Sequence, residues 1–468
     1  MAAILDAPPS TRKVGMISLG CAKNLVDAEV MLGDAATRGY EITANPDDAD
    51  IIVVNTCGFI DTAKQESVDA ILEAGARLRD GQKLVVSGCL SQRYSGELRN
   101  ELPEVHAFIG LDQVAQAGAI FDDLFAPGHE ESAVNLVTRG SRYIPDYTTP
   151  KFQLTPGHFA YVKIAEGCNH PCSFCVIPQM RGRHRSRTID SVVREVRQRI
   201  ANGVREINLI SQDTTFYGMD LWEQKAGPRQ PVDSSRGPTL VTLLDELAQL
   251  GNDRAEGGSE FWVRLLYTHP AHWSDELIAA IARNPKVVPY VDMPLQHIHQ
   301  DLLGTMKRET SRQHIEDLIA RLRAGIPNLA IRTTFIVGFP GETEEHFESL
   351  LEFIERVRFE RLGVFAYSRE EGSRAAKMEN QIPTATKNRR HRAAMKLQQK
   401  IAADLAQSQI GSTIRVLVGQ PRSGRTAHDA PEVDCKVILT SEAPVGSFIN
   451  ARVTGTQVYD LVAEPAGS

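Results

Sequence analysis

Short apolar runs alternate with longer amphipathic stretches along most of this chain, in the repeated order strand then helix. Near the start, Val14-Gly-Met-Ile-Ser-Leu, Ile51-Ile-Val-Val-Asn-Thr and Leu84-Val-Val-Ser-Gly read as buried strands. Helical patterns over 24–36, 61–78 and 92–100 follow them. Units of this kind predict a parallel, doubly wound α/β sheet. From 158 onward six further strands recur, at 158–165, 206–212, 262–267, 288–293, 330–338 and 362–367, with helical patterns such as 189–201 and 311–323 between them. They predict an open (β/α)6 partial barrel whose chemistry sits at the C-terminal strand ends. After 413 the pattern changes to short strands at 414–418, 435–439, 448–453 and 459–462, which predict a small all-β barrel. The expected domains are therefore 12–125, a linker at 126–153, 154–395 and 398–466. Residues 221–258, rich in Gly, Pro and charge, read as an insertion without chemistry.

Composition narrows the class. With 468 residues, 42% hydrophobic and 24% charged, the chain is globular and too long for one ordinary core. No apolar run reaches the roughly 18 residues of a membrane span. The start, MAAILDAPPSTRK, lacks the basic and apolar regions of a secretion signal, so a cytoplasmic location and no membrane partner are expected. A net charge of −7 provides no global positive field for nucleic acid. Seven cysteines, an odd number in a chain without an export signal, favour metal binding or catalysis over disulfides.

Six of the seven fall into two groups. Cys168, Cys172 and Cys175 form a C-x3-C-x2-C loop after the first predicted barrel strand. A zinc site completed by His170 or a distant cysteine is one reading. Three thiolates on one short loop suit better three irons of a cubane, with the fourth iron left open. Cys21, Cys57 and Cys89 each end one of the first three apolar strands, and in a doubly wound sheet such ends converge on one crevice. Buried packing is the alternative reading for this second group. Cys435 matches neither group and reads as a packing residue.

The loop, with Phe174 just before its last cysteine, resembles that of the radical S-adenosylmethionine enzymes. The resemblance implies that Cys168, Cys172 and Cys175 are the catalytic cluster ligands and that Phe174 packs near adenine. A three-cysteine α/β domain ahead of such a barrel is similar to the methylthiotransferases. These carry two 4Fe-4S clusters and use S-adenosylmethionine to replace C–H by C–S–CH3. One cofactor molecule gives the methyl group and a second the radical. By the same resemblance Cys21, Cys57 and Cys89 hold the auxiliary, sulfur-delivering cluster.

Ser18-Leu-Gly-Cys-Ala-Lys-Asn-Leu-Val-Asp27, Val54-Asn-Thr-Cys-Gly-Phe-Ile-Asp61, Lys163-Ile-Ala-Glu-Gly-Cys-Asn169, Ser211-Gln-Asp-Thr214 and Met293-Pro-Leu-Gln-His297 resemble the branch acting on the β-carbon of an aspartate in small-subunit ribosomal protein S twelve. Ala22 departs from that branch, which has proline there. The implied partners are this ribosomal protein, free or in the ribosome, and a reductant protein. A tRNA is not the expected substrate. The terminal domain, which resembles TRAM, carries five Arg/Lys against six Asp/Glu over 411–468. Its loop residues Asp429, Glu432 and Asp434 are expected to face a basic partner.

Further cofactor-binding candidates are Gln296, His297, Gly338 and Gly341, with Asp213 and Tyr217 after the second barrel strand. The basic run 181–187 could position an anionic substrate, whereas 387–392 reads as a solvated helix face. Two rival functions stand beside this one. One is a tRNA adenosine 2-methylthiotransferase; the other is a non-catalytic iron–sulfur or zinc RNA-binding module.

Overall fold

Alternation within the third strand of the chain, β3 (Ile51–Thr56), explains the first sheet. Ile51 and Val53 point to one face, against Ala28, Met31, Ile120 and Phe121. Ile52 and Val54 point to the other, against Ile71, Ala74 and Leu90. A strand covered on both faces reads as a nearly continuous apolar run, and every residue of β3, polar Asn55 and Thr56 included, is buried. The computed structural model describes residues 12–127, 134–138, 140–251 and 260–466. The opening residues read for a secretion signal, 1–11, lie outside the described residues.

By internal packing the chain divides into two compact units. The first takes residues up to 154 together with 166–168 and 176–183; the second takes 155–165, 169–175 and everything from 184. In the first, the strands β1 (Lys13–Ser18), β2 (Glu41–Thr43), β3, β4 (Lys83–Gly88), β5 (Ala107–Phe108) and β6 (Val134–Asn135) run in the order β2-β1-β3-β4-β5-β6. All neighbours are parallel. Helices α1 (Ala22–Thr37), α2 (Asp61–Ala76), α3 (Cys89–Glu101), α4 (Ala117–Asp123) and α5 (Ile177–Arg181) belong to this unit. The expected linker 126–153 supplies β6 and returns along α1, where Phe152 N–H donates to Glu29 O at 2.9 Å. Two residues are too short a strand for periodicity to reveal.

The second unit carries six parallel strands in the order β14-β13-β12-β11-β10-β7. They are β7 (Phe159–Lys163), β10 (Glu206–Ile210), β11 (Trp262–Leu265), β12 (Val287–Asp292), β13 (Ala330–Val337) and β14 (Arg361–Ala366); two-residue strands β8 (Ala165–Glu166) and β9 (Arg185–Ser186) bracket the cysteine loop in sequence. The helices are α6 (Ile189–Ala201), α7 (Leu240–Gln249), α8 (Asp275–Arg283), α9 (Gln300–Thr305), α10 (Arg312–Gly325), α11 (Glu344–Val357) and α12 (Thr384–Gln407). α11 shows why they form. Thr343 caps its start by accepting from His346 N–H at 3.2 Å, and Phe347, Leu350, Phe353 and Ile354 make one apolar stripe. The insertion reading of 221–258 is corrected by α7, whose Leu240, Val241, Leu243, Leu244 and Leu247 join the main core. Residues 252–258 lie outside the described residues.

The chain ends in a closed barrel, β15 (Thr413–Gln420), β16 (Ser423–Thr426), β17 (Val437–Leu439), β18 (Phe448–Gln457) and β19 (Asp460–Pro465), in the order β15-β16-β17-β19-β18. β16, Ser-Gly-Arg-Thr, has no apolar alternation and escapes sequence reading. Both barrels lie in the same unit, and buried charge ties them. Glu206 accepts from Arg264 Nε at 2.7 Å and lies 2.6 Å from Arg425 Nη2. Among the described residues no helix is long and apolar enough to cross a membrane.

The same tie reaches into the acidic loop, where Glu432 stays exposed. Asp429, 2% exposed, accepts from Arg361 and from Thr426 Oγ1, the latter at 2.5 Å. Asp434 accepts from Tyr290 Oη at 2.6 Å, and Glu432 from Tyr161 Oη at 2.8 Å. All three carboxylates answer barrel side chains. A run of carboxylates in sequence cannot reveal partners that other strands bring.

Candidate active site

The first unit sets three thiols on three adjacent strand ends. Cys21 follows β1, Cys57 follows β3 and Cys89 opens α3 after β4. The strand order reverses between β1 and β3, where crevices form in doubly wound sheets. Asn24 Nδ2 donates to Leu19 O at 2.7 Å and to Thr56 O at 3.2 Å, and Asn55 Nδ2 donates to Asn24 O at 2.7 Å. These bonds fasten the loop after β1 to the end of β3. Gly20, at φ +90°, permits the closest approach, because a Cβ there would lie 2.9 Å from the Cβ of Cys57. Cys57 N–H donates to Ser67 Oγ at 2.9 Å, which fixes its backbone on α2.

All three are free thiols, and they are not alike: burial works to raise Cys21, but the charges of Lys23 and Arg181 outweigh it and hold that thiol below its ordinary value. Burial pushes the Cys57 thiol up to about 12, and the neighbouring Cys89 and Cys21 push it the same way. Burial also raises Cys89, against the lowering effect of Arg181. Thiols close enough to oppose one another's ionisation fit a multivalent iron–sulfur group, which takes up thiolate charge.

The second cysteine group lies on the loop between β8 and α5. Gly182 O accepts from Cys168 N–H at 3.1 Å. Further along, Ser173 N–H donates to Met306 O at 2.9 Å and Ala375 N–H donates to Ser173 O at 2.8 Å, so the loop is held from two sides. Arg308 Nη1 donates to Cys172 Sγ at 3.5 Å. Phe174 packs beside Leu302, Met306, Phe339, Tyr367 and Ala375. Here too the donors are thiols with a cation close by, which fits a thiolate-bound cluster.

The remaining candidates divide. Gln296 holds φ +74° and bridges β13, with Ile336 N–H donating to its carbonyl at 2.8 Å. Gly338 (φ +72°) and Gly341 (φ +83°) bound the turn after β13, and Gly338 N–H donates to Glu342 Oε2 at 2.5 Å. His297 packs beside that turn. It is fully buried, its Nδ1 accepts from His299 N–H at 3.0 Å, and its Nε2 lies 3.3 Å from Glu342 Oε1. Arg390 donates to the same glutamate at 2.6 Å, so the run 387–392 is not wholly a solvated face. Tyr217 is buried in the main core.

Asp213 and His170, each singled out from the sequence for a different reason, meet in one buried cluster. His170 Nε2 lies 2.7 Å from Asp213 Oδ2 and its Nδ1 lies 3.1 Å from Glu309 Oε1. Burial disfavours its charge, but the two carboxylates prevail and raise its pKa to about 10. His269 stacks on this ring at 3.7 Å between centroids, and His272 Nε2 lies 3.3 Å from Asp213 Oδ2. A cavity of about 210 Å³ opens on His170, Asp213, His184 and Phe216. Only His269 and His272 stand close in sequence, three residues apart; the other members come from separate loops, so the sequence carries no signal for the five as a group.

The basic run 181–187 is likewise consumed internally at two of its arginines. Arg187 donates to Glu195 at 2.5 Å and to Lys163 O at 3.0 Å. Arg181 donates to Asp27, Glu166 and Cys89. Neither guanidinium is open to an anionic substrate.

Comparison with known proteins follows the same divisions. Residues 13–110 match uncharacterized protein family UPF0004, 162–354 the radical SAM superfamily, and 410–465 the TRAM domain. The fold is similar to that of the radical S-adenosylmethionine methyltransferase TsrM from Kitasatospora setae, with a TM-score of 0.52 and 15% identity over 76% of this chain and 73% of that one. Fold and cysteine loop thus define a radical S-adenosylmethionine enzyme with an N-terminal three-cysteine domain and a terminal TRAM barrel. The ribosomal protein uS12 methylthiotransferase RimO of Opitutus terrae is 55% identical, over 97% of both chains. That of Akkermansia muciniphila is 51% identical over 96% of this chain and 99% of its own, and that of Geobacter sulfurreducens 43% over 97% and 98%. The chain belongs to the RimO family of methylthiotransferases.

Proposed function

We propose that this enzyme replaces a C–H bond at the β-carbon of an aspartate in ribosomal protein uS12 by C–S–CH3. The observation carrying the reading is the pair of cysteine triplets, one on three strand ends of the first sheet and one on the loop after β8. Full-length likeness to uS12 methylthiotransferases supports the substrate. When bound, a 4Fe-4S cluster at Cys168, Cys172 and Cys175 with S-adenosylmethionine supplies radical chemistry, and a second at Cys21, Cys57 and Cys89 supplies sulfur.

The protein's own residues hold and orient these groups. Phe174 offers an apolar face beside Phe339. Gln296, Gly338 and Gly341 place backbone groups at the C-terminal ends of β12 and β13, where barrel chemistry is found. The His297–Glu342–Arg390 chain fixes the turn that carries the two glycines. A reductant protein supplies electrons, and the enzyme works in the cytoplasm on uS12, free or in the ribosome.

The test is mass spectrometry after anaerobic reconstitution with iron and sulfide, S-adenosylmethionine and a strong reductant. A uS12 loop peptide and an isopentenylated tRNA are offered together. A methylthio gain on the peptide alone is expected; a gain on the tRNA alone overturns the substrate assignment. Cys168→Ala abolishes both 5′-deoxyadenosine and product. Cys57→Ala spares some cofactor cleavage and makes no product; full product from it would remove the sulfur-delivery role.

A further inference from the structure

Arg181 is an unusual neighbour for a thiol. It is 2% exposed, and Nη2 divides its hydrogens between Asp27 Oδ2 at 3.0 Å and Cys89 Sγ at 3.3 Å. Nη1 donates to Glu166 Oε2 at 3.0 Å. Asp27 is on α1, six residues beyond Cys21, and Glu166 stands two residues before Cys168. Val176, Ile177 and Met180 of the same segment pack with Phe59 around Cys89, so the N–H···S contact lies in an apolar surround. The next residue, Gly182, accepts from the N–H of Cys168.

We infer that Arg181 is a positioning and potential-setting residue for the auxiliary cluster: its guanidinium, aimed by Asp27 and Glu166, donates to the Cys89 ligand sulfur. The inference rests on the ligand role proposed above for Cys21, Cys57 and Cys89. Hydrogen bonds and positive charge at a ligand sulfur stabilise the more electron-rich, reduced state of an iron–sulfur cluster. Burial of Cys89 strengthens that effect, since a charge acts further where water is excluded. Asp27 and Glu166 oppose it in sign while holding the fork in register. An arginine that follows the radical-cluster loop in sequence is therefore part of the first unit and serves its cysteine set. Lysine cannot replace the planar fork, which spans two carboxylates and a sulfur at once.

The test is a redox titration of the reconstituted full-length enzyme, followed by electron paramagnetic resonance. The auxiliary signal is the one missing from Cys57→Ala. Arg181→Gln should favour the oxidised cluster by about tenfold, a fall of about 59 mV for one electron. Arg181→Lys should recover only part of this. Asp27→Asn and Glu166→Gln should move the potential upward, opposite in sign, which a general loosening of the fold would not do. Unchanged potentials in all variants at full iron and sulfide content overturn the inference. If Cys57→Ala removes no signal and no iron, the ligand assignment itself fails. Should Arg181→Gln not assemble, the two carboxylate variants decide by their sign.

Discussion

Glu206, on the first residue of β10, lies 2.6 Å from the guanidinium of Arg425 on β16, and neither the acid nor its second partner Arg264 is exposed at all. The pair joins the catalytic barrel to the terminal one. The Arg264 guanidinium also stacks on Tyr290 at 4.6 Å and donates to Ala427 O at 2.8 Å. One carboxylate thus organises two cations from two domains.

Glu206→Gln removes the carboxylate that Arg264 and Arg425 share, leaving Arg264 without an acidic partner and Arg425 with Asp429 alone. Breaking a buried pair in this way costs about 3–5 kcal/mol. Equilibrium denaturation should show a lower midpoint for the variant. A midpoint within error of the parent would mean that the triad contributes little to holding the barrels together.

Gly33, inside α1, approaches the chain at Pro150 and Lys151 so closely that a Cβ would stand 2.5 Å from their backbone atoms. Helix propensity alone favours alanine by about 1 kcal/mol. The clash is with backbone that cannot rotate away, and overpacking costs about 1–3 kcal/mol. Gly33→Ala is therefore expected to lower the Tm; a raised Tm would show that the 150–151 segment yields.

Cys435 separates itself from the other cysteines. Burial pushes its thiol up to about 11, with Arg361 pulling down and Asp429 pushing up. At pH 8 it should alkylate slowly with iodoacetamide. Cys435→Ser should leave iron and acid-labile sulfide per chain unchanged, whereas Cys57→Ala should lower both. Loss of iron from the Cys435 variant would contradict the packing role.

Glu344 is held at about 2, below its ordinary value, first by the hydrogen bond from Arg389 and with help from Arg390. A lowered folded-state pKa adds stability that is present above the unfolded value near 4.5 and lost as pH falls through about 2. Because the carboxylate is about half exposed, solvent screens most of the effect. The Tm difference between parent and Glu344→Gln should be small at pH 6 and disappear toward pH 2. A difference that widened on acidification would reverse the assignment.

By itself the sequence determined the strand–helix order, the two cysteine groups and the change to short strands after 413, because burial writes itself into local periodicity and ligand loops into fixed spacing. It also carried the likeness to methylthiotransferases, since whole motifs such as Lys163 to Asn169 are contiguous. Only the tertiary structure decided the partners of isolated charges. Asp429 and Asp434 read as a free acidic face until β12 and β14 supplied Tyr290 and Arg361. Arg181 read as an open cation until α1 supplied Asp27. The His170 cluster, gathered from residues up to 139 apart, had no local trace. Pairing across such distances is set by where strands end in space, which no neighbouring residue records.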